Sequence, residues 1–300
     1  MVEWSGYIHP TNKVIVEGEP RQLDRTAEEA GIKPGMVVCR GTTQDLVKIG
    51  DFTRRALGFA GYEQSFVGGN DSTSIYTRNR PEGLTGTYAI NAKIPVLYLA
   101  NFTVLSKMYA GSAALKGDDL ALFSGGYLVA GKQVKGGFAV RLPFTKNTTE
   151  VSTGFVIPQY VIVNDVYIEA TTVASGSHID VGLAEVTGAE TGGDADGFLD
   201  GESCVTAGYV QHVQFNATAG NNTLGALLVA SDITSADTPA LVYSIPKRHI
   251  GDGVAKTITY TTSNHTVAGN IWVVFDGLQV VGMSVEDVVA GANVLVRSTL

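Results

Sequence analysis

The segment Gly126-Tyr-Leu-Val-Ala-Gly131-Lys132 matches the first seven places of a phosphate-binding loop, whose backbone amides cradle the phosphates of a nucleotide. The eighth place must supply a hydroxyl for magnesium. It holds Gln133, followed by Val-Lys-Gly-Gly where a helix should start. The segment therefore reads as a strand between two turns, and no cofactor is assigned to it. Asp194, Asp196 and Asp200, with Glu202, form an acidic cluster that could hold calcium, a hard ion needing six to eight oxygens. A calcium loop wants Asp or Asn two places after Asp196, where Phe198 stands, and its glycine falls two places early. The cluster reads as an acidic surface turn, where Asp and Gly belong for conformational reasons, and no metal is assigned.

Nucleophilic catalysis needs a base beside the nucleophile and an orienting acid beside the base. His9, His178, His212, His249 and His265 are scattered, none in a Gly-x-Ser-x-Gly or His-Glu-x-x-His setting. The chain reads as a non-enzyme. The remaining chemistry is cationic: Arg40, Arg54, Arg55, Arg78 and Arg80, with Lys48 nearby and Phe52, Phe59, Tyr62 and Tyr76 interleaved. Residues 1–150 hold 17 basic and 14 acidic side chains, a net of +3 that is too small for nucleic-acid binding. Arginine anchors among aromatics suit a protein interface better.

These residues need a scaffold, and the sequence points to strands. Gly35 to Arg40, Tyr88 to Ile94, Val96 to Leu99 and Gly126 to Ala130 read as short strands, while Thr26 to Ala30 and Gln44 to Ile49 each suggest a helical turn. Short apolar runs between tight turns over 101–130 continue the pattern of a small barrel. In the second half the strand candidates are Phe155 to Thr172, His178 to Val186, Cys204 to Phe215, Thr223 to Ala230, Ala240 to Ile245, Lys256 to Thr262 and Asn270 to Val281. Turn signals such as Gly192-Gly-Asp-Ala-Asp-Gly and Asp276-Gly separate them, which predicts a β-sandwich or jelly roll. The expected fold class is all-β, with helix under about 15% of residues against a common base rate near a third.

Charge suggests where to divide the chain. Residues 151–300 hold 4 basic and 15 acidic side chains, a net of −11, so the polar stretch 145–154 reads as a linker. The division expected is an N-terminal arm over 1–29, a β domain over 30–150 and a sandwich over 151–300. The arm carries Trp4, Tyr7 and Ile8, and is apolar enough to lie on a neighbour. With 44% hydrophobic and 17% charged residues in 300, the chain is not disordered. No apolar run approaches the roughly 18 residues of a membrane helix, and the polar first twenty residues predict no signal peptide, hence synthesis in a cytoplasm. Cys39 and Cys204 form neither a disulfide framework nor a zinc motif.

A resemblance enters on particular stretches: Ala30-Gly-Ile-Lys-Pro-Gly-Met-Val-Val-Cys-Arg40, Val47-Lys-Ile-Gly-Asp51, Arg55-Ala-Leu-Gly-Phe59, Tyr88 to Leu99, and Ala113-Ala-Leu-Lys-Gly-Asp-Asp-Leu120 with Gly125-Gly-Tyr-Leu-Val-Ala130. Together they resemble the head-decoration or capsid-cement proteins of tailed viruses, over roughly residues 30–140. The second half is similar to β-sandwich domains of virion surface proteins, through Ile157-Pro158, Ile179-Asp-Val-Gly-Leu183 and Ala195-Asp-Gly-Phe-Leu-Asp-Gly201. The resemblance implies a non-enzymatic protein on the outer surface of an icosahedral capsid, often trimeric, that locks neighbouring major capsid subunits. Its expected partners are the major capsid protein and itself, without nucleic acid, membrane or cofactor. The apolar run Ile94 to Leu105 looks too rich for a small barrel to bury alone and supports self-association.

Two other classes compete. A major shell protein should show a long spine helix, and no window here has that periodicity. A receptor- or carbohydrate-binding virion protein would expose aromatics in the second half, yet Tyr160, Tyr167, Tyr209, Tyr243, Tyr260 and Trp272 fall within strand runs and so read as core.

Overall fold

The computed structural model describes residues 15–61, 87–99, 101–157, 163–185, 194–211 and 256–300. Among them there is no helix, and 58% are in strands, so the all-β expectation holds. Trp4, Tyr7, Arg78, Arg80, Tyr62 and Tyr76 lie outside the described residues, as do the strands expected over 223–230 and 240–245, and with them the order a jelly roll would require.

The chain divides into two compact units: residues 1–109, 113–132 and 277–300 in one, and 110–112 and 133–276 in the other. This corrects the expected division at 145–154. That stretch lies inside the second unit, because the strands flanking it pair with partners there. The second unit is an insertion, and the last 24 residues return to the first.

The first unit contributes β1 (Ile15–Glu17), β2 (Arg21–Ala27), β3 (Val37–Arg40), β4 (Leu46–Ile49), β5 (Ala56–Ala60), β6 (Lys93–Tyr98), β7 (Thr103–Lys107) and β8 (Asp119–Leu122), with β9 (Leu128–Val134) reaching its boundary. The second contains β10 (Gly137–Thr145), β11 (Val151–Ile157), β12 (Val163–Thr172), β13 (His178–Glu185), β14 (Asp194–Ser203), β15 (Gly208–Gln211), β16 (Lys256–Thr262) and β17 (Ala268–Phe275). β18 (Val280–Ser284) and β19 (Asn293–Ser298) complete the first.

In the first unit β2-β4-β3-β5-β6 close into a barrel, antiparallel except for β2 and β4. The side-chain period of two divides its residues between two cores. Val38, Val47, Ile94, Val96 and Ala60 share one cluster with Ala27, Ile32 and Tyr88. Val37, Cys39, Phe59 and Leu97 point the other way, into a cluster with Phe102, Val104, Leu120, Leu122, Leu128, Val281, Val294 and Val296 from an antiparallel sheet of order β1-β7-β19-β18-β8-β9. The segment 101–130 therefore builds this sheet and does not continue the barrel. The expected arm is also corrected for residues 15–29: Ile15 pairs with Val104, and Arg21 to Thr26 pair with β6 as a barrel strand.

Neither expected helical turn forms. Thr26 pairs with Leu46, and the glutamates that suggested a helix serve as backbone acceptors: Glu28 Oε2 accepts from Thr42 N at 2.6 Å and Glu29 Oε1 from Ile49 N at 2.7 Å. The strands read over 88–94 and 96–99 reduce to one, β6, which starts at Lys93 and runs through Pro95, while residues 88–92 hold a turn in which Asn91 takes φ +65°. The strand read over 270–281 is two, broken where Gly277 takes φ +73°.

Among its described residues the second unit has two sets of four antiparallel strands, β10-β17-β12-β15 and β11-β16-β13-β14. Phe138, Val140, Leu142 and Phe144 alternate into its core with Ile168, Ile271 and Phe275. Ring pairs Phe155–Phe275, with centroids 5.8 Å apart, and Phe144–Tyr260, at 6.0 Å, join residues of the two layers.

Candidate functional site

The barrel brings three of the expected cationic residues together. β3 pairs with β5 at Cys39↔Ala56, and Arg40, which follows Cys39, and Arg55, which precedes Ala56, both adjoin that pair. Arg54 follows from the preceding turn, where Asp51 Oδ1 accepts from Thr53 N at 2.8 Å and the Arg54 carbonyl accepts from Cys39 Sγ at 3.5 Å. All three arginines are exposed. Lys48 pairs with Glu28 at 3.1 Å and is neutralised, whereas among the described residues none forms an ion pair with Arg40, Arg54 or Arg55. Partial burial pushes the Glu28 carboxyl up, but the Thr42 amide and the Lys48 ammonium outweigh it and hold the group below its ordinary value. The rigid end of a closed barrel thus presents three positive charges to solvent.

The aromatics expected among these arginines do not join them. Phe59 is fully buried against Phe102, and Phe52 packs on Phe123 at 6.3 Å. The apolar run that was to drive self-association is also internal: Ile94, Val96, Leu97, Phe102 and Val104 are all buried in their own unit, leaving Leu99 exposed. Counting charges by compact unit changes the electrostatics as well. The first unit holds 15 basic and 15 acidic residues and is neutral, and the second holds 6 and 14, a net of −8. The charge contrast keeps its sign and loses much of its size.

The acidic cluster does not form the expected turn. Asp194, Asp196 and Asp200 lie along β14, whose pairing with β13 is anchored by the buried Phe198 and Leu199. Among the described residues no three His, Cys, Asp or Glu side chains come together as metal ligands. The phosphate-loop match is a strand, β9, entered through a turn in which Gly125 and Gly126 both take positive φ. His178 lies on β13, and the nearby Ser263 hydroxyl accepts its backbone amide at 3.1 Å.

Sequence reasoning missed a polar and aromatic row on the second unit. On the face of β10-β17-β12-β15 opposite the core, Pro143, Asn270, Glu169 and Tyr209 are successive cross-strand partners, with Arg141, Trp272 and Tyr167 in the next row. Glu169 Oε2 accepts from both Trp272 Nε1 (3.0 Å) and Asn270 Nδ2 (3.2 Å). Trp272 and Tyr260 are buried as expected, whereas Tyr209 is 61% exposed. The strand reading alone could not assign Tyr209 to a face, since that needs the β12–β15 register.

Cys39 and Cys204 are buried free thiols. Burial pushes both up to about 11, with the Asp51 carboxylate adding at Cys39 against Arg54, and Glu202 adding at Cys204. A thiol reagent at pH 8 is expected to label neither cysteine in the folded protein and both in denaturant. Because the folded thiols hold their protons more tightly than the ordinary value of 9.0, stability should be flat below pH 9 and fall as pH rises toward 11. Rapid labelling of the folded chain at pH 8 would contradict this.

No protein-family model matches the chain, and neither the curated proteins nor the solved structures contain a significant match.

Proposed function

We propose that the protein is a structural, non-enzymatic component of a tailed virus's virion that binds the outer surface of the icosahedral capsid and cements neighbouring major capsid subunits. The observation that carries this reading is the uncompensated Arg40, Arg54 and Arg55 group at one end of a closed barrel. Three fixed positive charges on a neutral, stiff unit suit an acidic protein surface, and the resembling stretches within residues 30–99 include barrel strands β3, β4, β5 and β6, while those within 113–130 fall on β8 and β9 of the adjoining sheet. A cement protein must add contacts between shell subunits, and many modest contacts sum to high avidity when attachment is multivalent. Self-association as a trimer belongs to the same reading, as does the absence of nucleic acid and membrane among its partners.

The barrel unit is the one that docks, and the second unit, at −8, is the one an acidic shell repels. Charge steering acts mainly on the on-rate and is screened beyond about 8 Å at physiological salt. Arg54→Glu with Arg55→Glu is therefore expected to slow association with empty shells, assembled from the same virus's major capsid protein, by about tenfold at low salt. The loss should shrink as salt is raised. An unchanged on-rate for that folded double variant would remove the arginine group from the interface, and failure of the unaltered protein to bind the shells would end the capsid reading.

A further inference from the structure

We infer that the outer face of the second unit's β10-β17-β12-β15 layer carries a pyranose-binding subsite for a neutral glycan, built from Tyr209, Glu169 and Asn270. This is independent of the barrel and of the capsid reading. A sugar ring presents an apolar C–H face and an equatorial rim of hydroxyls. Binding it calls for an exposed aromatic ring to stack on the first, and for carboxylate and amide groups beside that ring to exchange hydrogen bonds with the second.

The three residues supply this in one cross-strand row. Tyr209 is directly opposite Glu169, which is directly opposite Asn270. Direct cross-strand neighbours place their Cβ atoms about 5 Å apart, which matches the span between a stacked sugar and its own hydroxyls. The Tyr209 ring is 61% exposed, yet it is not loose: it packs against Tyr167 at 5.9 Å, and Tyr167 stacks on the buried Trp272 at 6.2 Å and 14°. A platform already ordered by its neighbours loses little side-chain freedom when a ligand arrives.

Glu169 is oriented as well. Both donors converge on Oε2, from Trp272 and Asn270, and among the described residues Oε1 receives no hydrogen bond. The carboxylate therefore holds one oxygen fixed and turns the other to accept from a hydroxyl. Asn270, half-buried, spends its amide nitrogen on Glu169 and keeps its carbonyl oxygen as an acceptor. Two acceptors side by side fit two vicinal hydroxyl donors. The sign of charge selects among glycans: a carboxylate in the site, on a unit of net charge −8, disfavours sialylated, uronic or sulfated chains and leaves neutral hexose and pentose polymers.

The test is native affinity electrophoresis of the full chain through gels holding dextran, laminarin, galactomannan or arabinoxylan, with alginate as the anionic comparison. At least one neutral polymer should retard the protein, with a dissociation constant in the range of about 0.1–1 mM expected for one stacked sugar, and alginate should not. Tyr209→Ala should abolish retardation, Tyr209→Phe should keep it, and Glu169→Gln should weaken it at least threefold. Circular dichroism and melting of each variant check that the layer still folds. If the Tyr209→Ala variant is retarded like the parent, if no neutral polymer retards the protein, or if alginate binds best, the inference is wrong.

Discussion

Deleting residues 277–300 is expected to leave no folded barrel unit, although the deletion stops far from every barrel strand in sequence. These residues supply β18 and β19, which occupy the middle of the order β1-β7-β19-β18-β8-β9. Without them β7 and β8 lose the partners that join them, and Val281, Val294 and Val296, all at 0% exposure, leave the core beneath the barrel. Each fully buried aliphatic of this size contributes roughly 1.5 kcal/mol or more, so three of them match the lower end of a domain's total stability of about 5–15 kcal/mol. The barrel itself loses a hydrogen bond, since Gln279 Oε1 accepts from Ala56 N at 2.8 Å. Truncation at residue 154, the boundary that charge alone suggests, removes the same strands and should fail in the same way. Excision of residues 138–275 behind a short Gly-Ser bridge should succeed instead. Phe138 and Phe275 are cross-strand partners, so the chain enters and leaves the inserted unit at points about 5 Å apart. Thermal melting by circular dichroism separates the cases: a cooperative transition for the excision and none for the truncation. A folded product after loss of 277–300 would mean that the C-terminal strands only decorate the unit.

This nesting explains how much the sequence could reveal. Strand identity was legible, because β-branched and aromatic runs such as Lys256–Thr262 and His178–Glu185 favour strands locally, although the alternation in Lys256–Thr262 misleads about faces: Thr257 and Thr259 are buried along with Ile258 and Tyr260. Chain order hid the partners. The last strands pair with β7 and β8, more than 150 residues earlier, and no local pattern announces a pairing across an inserted unit. Charge misled for a related reason: the jump at residue 150 is real as a composition shift, yet Lys132 marks the structural break and Lys135, Arg141 and Lys146 belong to the acidic unit. Among candidate site residues, Arg40, Arg54 and Arg55 could be named from type and spacing, and the barrel register then placed them together. Glu169, Asn270 and Tyr209 could not, because each looks ordinary in its own strand and only their cross-strand row gives them a joint chemistry. Glu28 and Glu29 suggested a helix for the opposite reason. Local propensity was outweighed by backbone amides 14 to 20 residues away, one in a loop at Thr42 and one at the end of β4 at Ile49, that needed acceptors.

Gly58→Val is expected to open the barrel and abolish soluble folded protein, while Gly58→Ala lowers the melting temperature by about 5–10 °C. Gly58 sits in β5 at the seam with β6, and a Cβ built there would overlap the Leu97 carbonyl oxygen and stand 2.8 Å from Val96 Cγ1. The first obstacle is backbone in a paired strand and cannot rotate away, so β5 and β6 must separate. They are held by the short register Phe59↔Leu97 and Ala60↔Val96, and both Val96 and Phe59 are fully buried on opposite sides of that wall. Moving the wall disturbs both cores of the unit together. Overpacking of one methyl in such a place costs about 1–3 kcal/mol, and in a unit of this size each kcal/mol is worth roughly 2–4 °C. Two further methyls on a branched carbon exceed what the seam can absorb. Gly117 is the control, with φ +91° and no heavy atom within 4 Å of its built Cβ. Its replacement by Ala should cost only the backbone penalty of a left-handed residue, about 1–2 kcal/mol, without exposing either core. Binding of a hydrophobic dye during melting distinguishes the two, with early exposure for Gly58→Ala and none for Gly117→Ala. If Gly58→Val folds and melts like the parent, the barrel is not closed at β5 and β6, and the rigid placement of Arg40, Arg54 and Arg55 loses its basis.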